Sequence, residues 1–284
     1  MDAASGRYSG PRVSGEIFRL SLLEAWRNKT GLFLFFCIPA VFMGIVQLTA
    51  GTGYVSVNLY YPGETYRALL IIRNVCMVFG ATGVCAFLSA YYALLLFHRD
   101  FEYYRYCVFS GLRPLHFLAG RFGFFVTLIV FLAAATTGLA ASLVNIERPL
   151  DAFAGFLLTG VVYGAIGATF GMLVKDFLVG FLLVAVLADI DPAWLQNPVY
   201  YSAGQNVEII KWLPAFYPSQ YVFSAAFMVD NNPFACRASL AYAAVLLAVL
   251  FAIIAVRLGG FRRTSVPAVT AVPNPGPDPG GDRS

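Results

Sequence analysis

Five runs of roughly 20 apolar residues, and a sixth of about a dozen, are separated along this chain by short charged breaks, which excludes most folds at once. An α-helix rises 1.5 Å per residue, so about 20 apolar residues cross a hydrocarbon layer some 30 Å thick. The runs are Gly31–Ala50, Asn74–Phe97, Phe122–Val144, Ala152–Val174, Phe177–Ala188 and Ala238–Val256. At 59% hydrophobic and 12% charged residues, the 284-residue chain has too little polar surface to clothe a water-soluble domain. The expected fold is an all-α integral membrane protein with six transmembrane helices.

Charge then sets orientation. Six crossings put both chain ends on one side, and 14 of the 19 Lys and Arg residues fall on that side, giving net +6 there against −2 opposite. Basic residues resist translocation, so both termini are expected in the cytoplasm of a cell (cytoplasmic) membrane, with Asn197–Lys211 outside. The same rule explains the overall charge of +4 without nucleic acid, for which no soluble basic domain exists. Cys37, Cys76, Cys85, Cys107 and Cys236 are scattered without C-x-x-C spacing, so neither a disulfide framework nor a metal site is expected.

Outside the runs the chain reads as follows. Residues 1–13 are small and polar and are expected to be disordered; 14–263 form the membrane domain; the Pro/Gly-rich 264–284 forms a second disordered tail. Ser14 can cap a helix to about Lys29 that lies along the interface through Trp26 and Arg27. On a helical projection Phe18, Leu22, Ala25 and Trp26 share one side of it, and Ser21, Glu24, Arg27 and Asn28 the other. Pro39 predicts a kink in the first span, and a Gly-, Tyr- and Thr-rich loop follows that span. The fifth run stops at Asp189, Asp191 and Pro192. Its dozen residues reach only about 18 Å, so it is expected to end in the outer leaflet or to turn back. The two aspartates read as exposed caps of an outer-leaflet hairpin, with a proton relay as the rival reading. Pro198, Pro214, Pro218 and seven interspersed Trp, Tyr and Phe residues suit an interfacial belt there.

Three features bear on function. Residues 98–121, HRDFEYYRYCVFSGLRPLHFLAGR, alternate charge with aromatics and predict a short surface helix from Arg99 to about Phe109, stopped by Gly111 and Pro114. It is either a solvated loop anchored by tyrosines or a docking surface offering Glu102 and Arg105. Gly160, Gly164, Gly167 and Gly171 form a small-residue stripe on one face of the fourth span, suited to close packing within the chain or against a second copy. Gln47 is a polar side chain near the outer end of span one, either hydrogen-bonded between helices or lining a path. No catalytic motif and no G-x-x-x-x-G-K-[ST] phosphate loop occurs.

An interfacial N-terminal helix, a charged helix between spans two and three, a truncated fifth span and an outer hairpin carrying LPAFYPSQY together resemble the membrane subunit of a type-2 ABC transporter. The resemblance covers roughly Ile17 to Arg263 and lies in the arrangement rather than in a short signature. It implies an ABC exporter permease working with a separate ATPase subunit, which would hold the ATP and Mg, and with a second permease copy or paralogue; this chain binds no cofactor. It also implies that Arg99, Asp100, Glu102, Tyr103 and Arg105 belong to the coupling helix, with Tyr104, Arg105 and Tyr106 where the family often carries Gly-Thr. The substrate would be an amphiphile: a drug, a peptide or a lipid-linked glycan. An ion- or proton-coupled carrier is opposed by the near absence of ionisable residues in spans one to four and six. A non-transporting assembly subunit is the other alternative. The Ala, Gly and Arg usage fits a GC-rich bacterial source.

Overall fold

The computed structural model describes residues 10–61, 64–109, 114–197, 199 and 207–264, with side chains at 10–12, 61, 64–66, 99–115, 207–208 and 258–264 excepted. Of the expected tails at 1–13 and 264–284, residues 1–9 and 265–284 lie outside the described residues, while 10–13 and 264 are helical instead. The chain is mostly helical, and six helices are long and apolar enough to cross a membrane.

Helix α1 (Gly10–Arg27) begins four residues before the expected Ser14 cap. Asn28 breaks it and caps α2 (Lys29–Thr49), its Oδ1 accepting from the Gly31 N–H at 3.0 Å. The stretch expected to be a loop is instead an antiparallel hairpin, β1 (Tyr54–Tyr61) with β2 (Glu64–Ile71), paired from Tyr54↔Ile71 to Tyr61↔Glu64. Its cause is legible: YVSVNLYY alternates, and Val57 and Leu59 are buried while Ser56 and Asn58 are exposed.

Helix α3 runs from Ile72 to Phe109 without a break, so the separate short helix expected at 99–109 is instead the continuation of span two. At 38 residues it is about 57 Å long, well beyond a 30 Å hydrocarbon layer. It is the centre of the bundle: 89% of its apolar window is buried, against 22% for α2. Helices α4 (Pro114–Leu143) and α5 (Pro149–Leu173) pack against it. After the turn at Lys175, Asp176 caps α6 (Phe177–Ala188) by accepting from the N–H groups of Leu178 and Val179.

Span five does not stop where its sequence changes. The chain continues as a π-helical segment, Asp189–Leu195, so the span reaches Leu195. Proline cannot donate to the ladder, and its ring crowds the carbonyl of an ordinary α-turn, so the wider π-turn accommodates Pro192. Beyond it come one turn, α7 (Val207–Ile210), then α8 (Phe216–Phe227) and the last span, α9 (Pro233–Thr264).

Two faces result. One carries α1, the end of α3, the start of α4 and the end of α9, and is called here the chain-end face. The hairpin, the α4–α5 turn and the start of α9 lie on the opposite, hairpin face. Helix α8 runs antiparallel to α5. Val222 sits against Gly155, where an added Cβ would meet the Val222 N and Cα at 3.1 and 3.2 Å. Its far end meets the α4–α5 turn, whose Glu147 and Arg148 N–H groups donate to the carbonyls of Ala226 and Ala225. The start of α8 therefore points into the molecule and its end toward the hairpin face, which makes α8 re-entrant.

Candidate functional site

The buried polar side chains among the described residues are neutral except at one point. Asp191 is the only buried Asp, Glu, Lys or Arg among the described residues, at 1% exposure. Reading it as an exposed cap was wrong; Asp189 beside it is the exposed one. Three elements meet on the Asp191 carboxylate. The Tyr163 hydroxyl of α5 donates to Oδ2, the Gln196 amide Nε2 donates to Oδ1 at 2.7 Å, and the Ala215 N–H donates to Oδ2 at 3.0 Å. Ala215 is the residue before α8, so the carboxylate lies at the positive end of that helix. Asp191 follows Phe177 by fourteen residues, about 20 Å along the span, which places the charge at the depth of the hydrocarbon layer. Three donors and a helix terminus replace the water that a carboxylate otherwise requires. Nearby, Gln196 and Asn197 are buried as well.

The outer end of α8 is fastened differently. The Arg148 guanidinium donates to the Met228 carbonyl at 3.2 Å and to the Asp230 carbonyl at 2.9 Å, and pairs with Asp151 at 2.7 Å. A cation at a helix C-terminus satisfies carbonyls that have no partner within the helix. The Tyr221 hydroxyl donates to the second Asp151 oxygen at 3.2 Å. Burial first, then the neighbouring Cys236 and Asp151, push that hydroxyl above its ordinary pKa, so it remains a donor. The tip of the hairpin joins the same group: the Tyr60 N–H donates to Gln220 Oε1 at 3.1 Å, and Asn232 Nδ2 donates to the Tyr60 carbonyl at 3.1 Å. Lys211 Nζ sits 4.5 Å from the centre of the Tyr60 ring.

At the chain-end face, α1 packs along the start of α4. Ser14 Oγ donates to the His116 carbonyl at 3.1 Å, and Phe18 meets Phe124 edge-on at 6.2 Å. Arg121 Nη1 donates to Ser21 Oγ at 3.0 Å and pairs with Glu24 at 3.1 Å. Arg121 thus ties the Ser21 and Glu24 side of α1 to α4, and Phe18 ties the other side. Leu22 and Trp26 are exposed, Trp26 by 73%. Arg27 is exposed beside it. One further tie fixes the α1–α2 elbow to the central helix: the Tyr92 hydroxyl donates to the Gly31 carbonyl at 2.6 Å.

The remaining expected residues fall as follows. Arg99, Asp100, Glu102, Tyr103 and Arg105 lie in the last turns of α3; their side chains are outside the described ones. Gly160, Gly164, Gly167 and Gly171 face α3 and α4. An added Cβ would meet Ile129 at Gly160, Phe125 at Gly164, the Ala90 backbone at Gly167 and the Leu94 carbonyl at Gly171. Gln47 is exposed near the hairpin-face end of α2, not tucked between helices. Among the described residues no group of three His, Cys, Asp or Glu side chains could hold a metal ion. Comparison with protein-family models, with curated proteins and with solved structures found no match to the chain.

Arg121, Arg148 and the Asp191–Tyr163 pair escaped the sequence reading. Arg148 and Arg121 looked like ordinary loop charges. For Asp191 the available signal was an acid within an otherwise apolar run, and the proline beside it diverted that signal toward a helix stop.

Proposed function

We propose that this chain is the permease subunit of an ATP-driven exporter, with its chain-end face in the cytoplasm and a separate ABC ATPase gripping the end of α3. One observation carries the reading: the charged segment 98–109 is the unbroken helical continuation of α3, the most buried span. An engine that holds that extension moves α3 directly. Through α3 it also moves α2, α4, α5, α6 and α8, all of which touch it. Such a lever suits a protein whose energy source sits outside the membrane. The basic asymmetry supports the orientation. The re-entrant α8 and the exposed apolar and aromatic side chains of α1 support the family resemblance, which also supplies the amphiphilic cargo and the second permease copy.

A proton- or ion-coupled carrier is the second reading, and Asp191 favours it, because a carboxylate at membrane depth is the usual element of such coupling.

The test is capture of the tagged chain from its own membranes, followed by measurement of vanadate-sensitive ATP hydrolysis in the captured complex. An ABC ATPase should co-purify with wild type. Glu102→Lys should lower its recovery at least about tenfold, since removing one member of a desolvated charge pair costs some 2–5 kcal/mol. Glu16→Lys, on exposed α1, should leave recovery unchanged. If no such ATPase is recovered with wild type, or if Glu102→Lys recovers it in full, the exporter reading fails. Transport driven by a proton gradient alone, and abolished in Asp191→Asn, would establish the carrier in its place.

A further inference from the structure

We infer that β1 is an edge at which two copies of this chain join their hairpins into one four-stranded sheet. Neighbouring bonds settle which way each backbone group of β1 points. The Ile72 N–H donates to the Gly53 carbonyl, so in the register that pairs Tyr54 with Ile71 the odd-numbered residues of β1 bond to β2. The even-numbered ones turn their N–H and carbonyl groups outward. Tyr60 agrees, since both of its outward groups are taken by side chains, Gln220 and Asn232. That leaves Tyr54, Ser56 and Asn58, all exposed, and among the described residues nothing bonds their outward groups. Natural edges are blunted by lysine, proline, a bulge or a cover. The stretch YVSVNLYY has no charge and no proline, whereas the outer edge of β2 carries Arg67.

Strand β1 is its own complement. Paired antiparallel about Ser56, it sets Tyr54 opposite Asn58 of the second copy and Ser56 opposite Ser56. Each opposed pair exchanges two hydrogen bonds, and every open group is used. On the exposed side a ring then lies beside an amide and a hydroxyl beside a hydroxyl, and no like charges meet. The fit also ends where it must. Tyr60, already capped, would face Thr52, and the flanking Gly51 has open space where a Cβ would stand, which leaves room for Gln220 and Asn232. The membrane supplies the symmetry. The hairpin lies across the hairpin face, with its base at the ends of α2 and α3 and its tip, about 26 Å away, on α8 and the start of α9. Val57 and Leu59 are buried beneath it. Copies inserted in one orientation hold this sheet at one height, and a twofold axis along the membrane normal brings β1 to β1 antiparallel.

The second copy is the one element taken from the exporter reading, on which the pairing rests to that extent, and no ATPase is needed to test it. Cysteine would be introduced singly into the full chain in its own membranes, with the native cysteines replaced except buried Cys85. Directly opposed residues bonded across an antiparallel pair have Cα atoms about 5.5 Å apart, within disulfide range. Mild oxidation should therefore join Ser56→Cys to itself as a covalent dimer. The yield should exceed that of Leu69→Cys, exposed on the same side of β2, at least about tenfold. Tyr54→Cys and Asn58→Cys should each stay monomeric alone and cross-link when the two are made together. Asn58→Pro deletes an outward N–H but no bond to β2, so in the Ser56→Cys chain it should cut the dimer at least about fivefold, and Asn58→Ala should not. Equal cross-linking at positions 56 and 69 would reveal random collision and overturn the pairing. So would the absence of a dimer at position 56, or self-joining of Tyr54→Cys. Loss of ATPase capture with the position-56 dimer intact would sink the exporter reading alone.

Discussion

Gly167→Ala adds one methyl group at the closest approach of α5 to α3, and its cost can be worked from the geometry. The new Cβ would collide with the Ala90 carbonyl oxygen and lie 2.6 Å from the Ala90 Cα and carbonyl carbon. Carbon atoms pack at about 3.5–4.0 Å, so the two helices must part by on the order of 1 Å, and backbone cannot rotate away as a side chain could. Such a gap forfeits about a quarter to a half of each contact's well. With on the order of 30 atom pairs at about 0.15 kcal/mol each along this seam, the loss is about 1–2 kcal/mol. Local overpacking strain adds about 1–3 kcal/mol. The better helix propensity of alanine returns about 1 kcal/mol. The net expectation is a destabilisation of about 2–3 kcal/mol, some 30- to 140-fold in the unfolding equilibrium.

Two controls separate crowding from propensity. Gly138 has open space around its Cβ position, so Gly138→Ala should be neutral or stabilising by up to about 1 kcal/mol. At Gly160 the nearest atoms are the Ile129 Cγ2 at 2.6 Å and the Ser89 Oγ at 3.0 Å; both belong to side chains that can shift, so Gly160→Ala should fall between the other two. Equilibrium unfolding in mixed micelles, followed by tryptophan emission at unchanged denaturant dependence, gives the three values. A Gly167→Ala protein as stable as Gly138→Ala would refute the argument that close approach at Ala90 is what this glycine provides.

Other outcomes follow from the same geometry. Arg148→Ala should lower stability by about 2–3 kcal/mol in the same assay, since it removes charge-assisted hydrogen bonds on two carbonyls and leaves Asp151 without its cation, discounted for partial exposure. Replacing Arg148 with Lys should restore less than half of that loss, because one ammonium cannot reach the three partners of the fork. For orientation, impermeant labelling of intact cells should mark Val229→Cys, which is 82% exposed on the hairpin face, and spare Lys175→Cys on the chain-end face; the opposite pattern reverses the assignment. Arg121→Ala should loosen α1 from α4 by removing its ties to Ser21 and Glu24, and should show as faster proteolysis within residues 13–27 while the six spans stay intact.

The number of spans was readable because it follows from one quantity, the length of uncharged apolar sequence, which a bilayer fixes. What escaped was decided by contacts distant in sequence. Asp191 and Pro192 look locally like the end of a helix; that the acid is buried depends on Tyr163, 28 positions earlier, and on Ala215, 24 positions later. The partner of Ser21 and Glu24 on α1 was hidden for the same reason, since Arg121 lies 97 positions beyond Glu24. The hairpin differed in kind: its alternation from Tyr54 to Tyr61 was visible, but glycines and tyrosines at its edges drew it into the category of loop. Charged residues after His98 marked the limit of the apolar layer correctly but carry no signal for ending a helix, and α3 simply continues past them.

The re-entrant course of α8 has a consequence for how the protein is made. Helix α8 has no membrane-crossing apolar length of its own, and its docking partners emerge earlier: α5, the 147–148 turn and the tip of the hairpin all precede it in the chain. Its surroundings must therefore be inserted and joined before it has anywhere to lie. Only then can Asn232, which binds the Tyr60 carbonyl and caps the start of α9, set the last span in register. Synthesis halted anywhere before Phe216 leaves the earlier spans in the bilayer but a waiting slot between α3 and α5, the kind of exposed seam that membrane quality control can recognise.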